Sequence, residues 1–124
     1  MLLALWMCAS GDAVKPERTV RLAVPKELAA PVLKLDGFEH VAGERVTIEV
    51  LGPPEGKSKA RPVLAVSGLV GSREKGDVET MDLVIPLNAR AARLLAQRGE
   101  ITLTLRLRRG RHPLRWKRAY LTSM

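Results

Sequence analysis

The sequence is poor in cysteine, histidine and aromatic residues: 124 residues carry one Cys, two His, two Trp, one Tyr and one Phe. With Cys8 alone, no intrachain disulfide can form. That suits a reducing compartment, or an exported protein that needs no covalent staple. Cys8, His40 and His112 are too few and too scattered to supply the four ligands of a structural zinc site. Two histidines also fall far short of a coupled dinuclear copper centre, so no cofactor is expected. With Trp6, Phe38, Trp116 and Tyr120 as the only rings, the core must be built from Val, Leu and Ile. Few rings remain for stacking on bases.

Long apolar runs are missing too. Residues 1–9 are apolar but far shorter than the roughly 20 residues that span a bilayer, so no transmembrane segment is expected. No Lys or Arg precedes the run, and Met7 stands where a lipoprotein signal needs a small residue. The segment reads either as the tail of a signal peptide or as the packed end of a preceding domain, which leaves exported, periplasmic and cytoplasmic locations open. Residues 11–18 are polar, contain Pro16, and read as a linker. The division is therefore an apolar segment and linker over 1–18 and one domain over 19–124, a length typical of a single domain.

Catalytic motifs are absent as well. There is no nucleophile elbow, Walker loop, Rossmann glycine pattern or metal-binding His pair. Ser67 has no local base. His40 reads as a solvent-exposed loop histidine and Cys8 as an inert thiol. No catalytic, cofactor-binding or metal residue is assigned, and the chain reads as a non-enzyme.

What the sequence has is alternation. Residues 100–108 place Ile101, Leu103, Leu105 and Leu107 on one face and Thr102, Thr104, Arg106 and Arg108 on the other, the period of a half-buried strand. Residues 45–51 alternate likewise through Val46, Ile48 and Val50. Residues 63–70 form a short apolar run suited to a buried strand. Further strands are expected at 19–24, 32–38, 78–85 and 114–122, with a turn at Asp36-Gly37. Pro25 and Pro31 bracket a single helical turn at 26–30. The prolines and glycines of 52–62 mark a surface loop, and 71–76 form a second, polar one. Asn88 and Gly99 bracket a helix over 89–98, with Leu87, Ala91, Leu94 and Leu95 on its apolar side. Seven strands with short connections predict a mainly β fold, an antiparallel β-sandwich with one short helix.

Charge is the other positive feature. The formal net charge is +8, and residues 101–124 contain no acid. Arg106, Arg108, Arg109, Arg111, Arg115, Lys117 and Arg118 crowd into an expected basic hairpin over 106–118, and Arg118 interrupts the apolar row of the last strand, which points to an edge or an interface. Such asymmetry attracts an acidic protein surface, nucleic acid or anionic lipid, or it is simply a solvated face. The scarcity of exposed rings argues against a base-reading site. Trp116 among these cations reads as a core or interface tryptophan, with a cation–π surface as the rival.

Residues 33–50, LKLDGFEHVAGERVTIEV, carry a resemblance. An apolar strand, an acid plus Gly, and a second strand resemble the C-terminal KFDV-type domain of plant polyphenol oxidases (tyrosinases and catechol oxidases). Thr47-Ile48-Glu49-Val50 stands where that family has Lys-Phe-Asp-Val. The resemblance continues through residues 64–70, the paired leucines and Gly stop of 91–99, the strand at 101–107, and residues 117–121. It implies a domain with no copper site, a companion that docks on and shields a type 3 copper catalytic domain. The seven basic residues would then meet a tyrosinase-like catalytic domain or another acidic protein surface. The alternative is a small basic polyanion-binding or adhesion module.

Overall fold

The computed structural model describes residues 17–54, 60–70 and 77–123. The expected N-terminal apolar segment with Cys8, the linker over 11–16, and most of the two polar loops lie outside these residues. Seven strands and one helix follow in order: β1 Glu17–Ala23, β2 Pro31–Val41, β3 Arg45–Leu51, β4 Val63–Val70, β5 Val78–Pro86, α1 Ala89–Leu95, β6 Glu100–Arg109 and β7 Arg118–Ser123. They form a four-stranded sheet in the order β1-β6-β3-β4 and a three-stranded sheet in the order β5-β2-β7, with every pairing antiparallel. The fold is the expected β-sandwich with one short helix.

Apolar alternation decides which sheet faces meet. Leu103, Leu105 and Ile101 from β6 and Ile48 and Val50 from β3 are essentially sealed from solvent. They pack against Leu33, Leu35 and Phe38 of β2 and Ile85 of β5. Among consecutive strands, only β3 and β4 stay together in one sheet; each other connection crosses between layers. Arg109 and Arg118 therefore do not flank a hairpin, because β6 and β7 lie in different sheets. The expected basic hairpin over 106–118 is a crossing segment instead, and the last strand begins at Arg118 rather than at Leu114.

The helix is capped as the sequence implies. The Asn88 side chain accepts from the Ala91 N–H at 3.0 Å, and Ala91 and Leu95 are buried beneath the sandwich. It stops at Leu95, short of the expected Arg98, after which the Arg98 N–H turns back to the Leu95 carbonyl at 3.1 Å. Residues 26–30 form bends without a helical turn.

Asp36-Gly37 is not a turn. β2 runs on through it for 11 residues, and the register with β5 jumps between Leu35 and Phe38. Asp36 and Gly37 together oppose one residue, the signature of a β-bulge. Gly37 supplies a φ of 67°, and its N–H donates to Asp82 Oδ1 at 3.2 Å. The chain actually reverses at Ala42-Gly43, where Gly43 has a φ of 79°. One consequence concerns His40. It lies in β2, not in an exposed connection; its side chain is buried and its Nδ1 has no hydrogen-bond partner among the described residues. The bulge restores inward orientation to Phe38 and His40, which uninterrupted alternation from Leu35 would have turned outward.

Candidate docking surface

The crossing segment begins where β6 leaves the four-stranded sheet. Gly110 adopts a φ of 117° and lies so close to Glu44 that a Cβ would stand 3.0 Å from its Oε1. That same oxygen accepts from the Arg111 N–H at 2.6 Å. The segment then runs beside the second half of β2. The Glu39 N–H donates to the Arg115 carbonyl at 3.0 Å, and the Lys117 N–H donates to the Asp36 carbonyl at 2.8 Å. Between these ties Leu114 is buried in the core, and His112 Nε2 lies 3.0 Å from Glu39 Oε1. A buried leucine, two backbone bonds to β2 and the Arg111 N–H bond to Glu44 tie the segment to the sandwich.

Arg18 adds a clamp from the neighbouring sheet. Its guanidinium stacks 4.2 Å from the centroid of the Trp116 ring and donates to the Leu114 carbonyl at 3.3 Å. The sequence places Arg18 in a linker. In the structure it belongs to β1, which starts at Glu17, and it joins the β1 edge of one sheet to the β7 side of the other. Trp116, half-buried, packs against the core as expected; the cation over its ring is Arg18 of β1 and not one of the neighbouring Arg115, Lys117 and Arg118.

The seven expected docking residues separate into three groups. Arg106 and Arg108 lie on the outer face of the four-stranded sheet. Arg106 Nε and a terminal nitrogen bond Glu49 Oε1 at 2.9 and 2.7 Å, and another nitrogen lies 3.8 Å from Glu17. Arg108 stands 3.7 Å from the second Glu49 oxygen, while Arg61 grips Glu17 at 3.1 and 3.4 Å. Register places Glu17, Arg106 and Glu49 side by side across β1, β6 and β3. The result is a ladder of alternating sign: Arg61, Glu17, Arg106, Glu49, Arg108. These two arginines are occupied by the fold itself.

Arg118 forms the second group alone. It stacks on Tyr120, 4.6 Å from the ring centroid, on the outer face of the three-stranded sheet. Arg109, Arg111, Arg115 and Lys117 form the third. All four are exposed, and no ion pair with a carboxylate holds them among the described residues. Arg45 joins them from the start of β3, bordering with Gly43, Glu44, Arg109, Gly110 and Arg111 a shallow depression at that end of the sandwich. Arg45 and Arg18 escape a reading of the sequence because their approach depends on strand register across sheets. No local spacing signals it.

Among the described residues, no three His, Cys, Asp or Glu side chains lie close enough together to hold a metal ion. No helix among them is long and apolar enough to cross a membrane. No protein-family model matches the chain, and no curated protein matches it.

Proposed function

We propose that this chain is a non-catalytic docking domain whose crossing segment meets an acidic protein surface. The observation that carries the reading is the set of contacts that tether the cations' backbone to the sandwich. Arg109, Arg111, Arg115 and Lys117 project from a segment tied by the Arg111, Glu39 and Lys117 backbone bonds and by Arg18 over Trp116. Charges displayed on fixed backbone lose less entropy on binding than charges on a mobile tail, and unpaired ones are free to steer encounter. Trp and Arg are among the residue types in which interface energy concentrates, and Trp116, with Arg18 stacked on it, lies between Arg115 and Lys117 in the segment.

The partner class comes from the sequence resemblance alone. It is a type 3 copper polyphenol oxidase catalytic domain, tyrosinase-like, which this chain would accompany or shield. The test is a titration of the purified chain against such a catalytic domain, with heparin-like polyanion and duplex DNA as competitors at near-physiological salt. Binding to the catalytic domain that slows its turnover and survives the competitors supports the reading. Binding only to the polyanion replaces it with the basic polyanion-binding or adhesion module. Binding to DNA tighter than the roughly micromolar limit of ordinary non-specific association replaces it with a nucleic-acid function.

A further inference from the structure

We infer that the depression bordered by Arg45, Arg109 and Arg111 is a binding site for a phosphate group. The site does not depend on an acidic protein partner. Arg45 opens β3 and Arg109 closes β6, so the two lie at the same end of neighbouring antiparallel strands. A second register shift decides where Arg109 points. Ile48 stands opposite Leu107, yet Thr47 stands opposite Arg109, so β6 holds one extra residue there, Arg108. Without that residue Arg109 would oppose Val46, whose side chain lies in the core. Opposed residues share a sheet face, and the face alternates along a strand. The bulge thus sets Arg109 on the outer face with Thr47 and Arg45. Bulges re-aim side chains in this way beside functional sites.

Arg111 arrives from the crossing segment. Gly110, with a φ of 117°, turns the chain beside Glu44, and the Arg111 N–H donates to Glu44 Oε1 at 2.6 Å. Glu44 is the one acid bordering the depression among the described residues, and the bond it accepts comes from backbone. None of the three guanidinium groups pairs with a carboxylate among the described residues.

These charges define the ligand. Three guanidinium groups less one carboxylate leave a charge of +2 around the depression, the complement of a phosphate monoester, which carries about −1.5 to −2 at neutral pH. Diagonal cross-strand neighbours such as Arg45 and Arg109 stand about 7–8 Å apart, within reach of long side chains, and they repel unless an anion comes between them. Arginine forks hold phosphate oxygens in pairs. The lining is four charged residues and two glycines, with no apolar wall to hold an uncharged ligand. The depression measures about 450 Å³, within the range of small-molecule sites, so it has room for a phosphate and for the group that carries it.

The test follows backbone amide signals by nuclear magnetic resonance as inorganic phosphate or glycerol 3-phosphate is added at constant ionic strength, with chloride as the blank. Shifts confined to residues 43–45 and 109–111 are expected, saturating with a Kd on the order of 1 mM, weak as suits an open site. Arg45→Gln and Arg109→Gln, both at exposed positions, should each weaken phosphate binding about tenfold, the worth of one charge-assisted hydrogen bond. Arg115→Gln with Lys117→Gln removes two cations outside the depression and should weaken it less than about threefold, because salt screens charges that make no contact. Equal affinity for the two probes supports the site with free phosphate as its ligand; tighter binding of the ester supports it with a phosphorylated molecule. Shifts that fail to saturate, that spread over residues 106–118, or that weaken as much in the Arg115 and Lys117 variant as in the Arg45 variant overturn the inference.

Discussion

Glu49, its side chain only 8% exposed, accepts two bonds from Arg106 at 2.9 and 2.7 Å. It thereby fastens β3 to β6 on the solvent side of the four-stranded sheet. In the tetrad Thr47-Ile48-Glu49-Val50, the acid thus has a structural task in this chain: it is the buried rung of a charge ladder. Val50 and Ile48 point to the core on the opposite face.

Removing that carboxylate should therefore cost stability. Glu49→Ala leaves Arg106 beside Arg108 with only the longer contact to Glu17, and is expected to destabilise by about 2–4 kcal/mol, the range for breaking a mostly buried ion pair by deleting one partner. Chemical denaturation measures it. The double substitution Glu49→Leu with Arg106→Leu should recover most of the loss, because no unpaired charge remains. A double variant as unstable as Glu49→Ala would show that packing, and not the ion pair, is at stake.

The bulge of β2 provides a test that separates two causes. Gly37→Ala forces a Cβ into a φ of 67° and places it 2.9 Å from Lys117 Cγ. The left-handed conformation alone costs about 1–2 kcal/mol, and the contact adds to it. Lys117→Ala keeps a Cβ 3.3 Å away but removes the nearer atoms. A double-mutant cycle should thus show favourable coupling of about 0.5–1 kcal/mol, the size expected for contacting residues. Strict additivity would mean that the lysine stem moves aside freely.

Much of this architecture is legible in the sequence, for reasons that differ by element. The strict alternation of residues 101–107 assigns both faces of β6 correctly, because burial on one side enforces a period of two. The bounds of β3 and β4 agree with the expected ones, since Gly and Pro flank them. The bulge reads as a turn because an acid-Gly pair serves both structures, and only cross-strand register distinguishes them. The same ambiguity misplaces His40, whose burial depends on that extra residue. The site is legible in composition but not in arrangement. Seven clustered cations are visible, while the carboxylates that neutralise Arg106 and Arg108 lie in β3 and β1, far along the chain.

Leu103 tests the assigned faces directly. It is fully buried between the sheets, and Leu103→Ala should destabilise by about 2–5 kcal/mol through lost burial and the cavity left behind. The shift of a urea unfolding midpoint reads it. A loss within about 0.5 kcal/mol, typical of surface positions, would reverse the assignment.

His40 yields the opposite expectation. Its Nδ1 is buried without a partner among the described residues, and a buried polar atom left unbonded costs about 1–3 kcal/mol. His40→Leu, of similar volume, should be neutral or stabilising by thermal unfolding. A loss above about 2 kcal/mol would mean that the ring's other nitrogen makes a bond worth more than the unmet one costs.

The division of the basic residues makes a sharp prediction for docking. If charge alone governed association, reversing any two of the seven would slow it alike. The ladder says otherwise. Arg109→Glu with Arg111→Glu alters two exposed cations outside any ion pair among the described residues; the Arg111 bond to Glu44 uses the backbone N–H and survives. This variant should keep the wild-type unfolding midpoint, slow association with an acidic partner, and flatten the salt dependence of the on-rate, because steering charges act mainly on encounter. Arg106→Glu with Arg108→Glu instead places two carboxylates beside Glu49, and should unfold the domain at lower denaturant by about 3–5 kcal/mol, as an uncompensated buried charge does. Stopped-flow association and denaturation on the same two preparations separate binding from folding. Equal loss of on-rate in two equally stable variants would place Arg106 and Arg108 in the docking surface and reduce the ladder to a crossing of solvated chains.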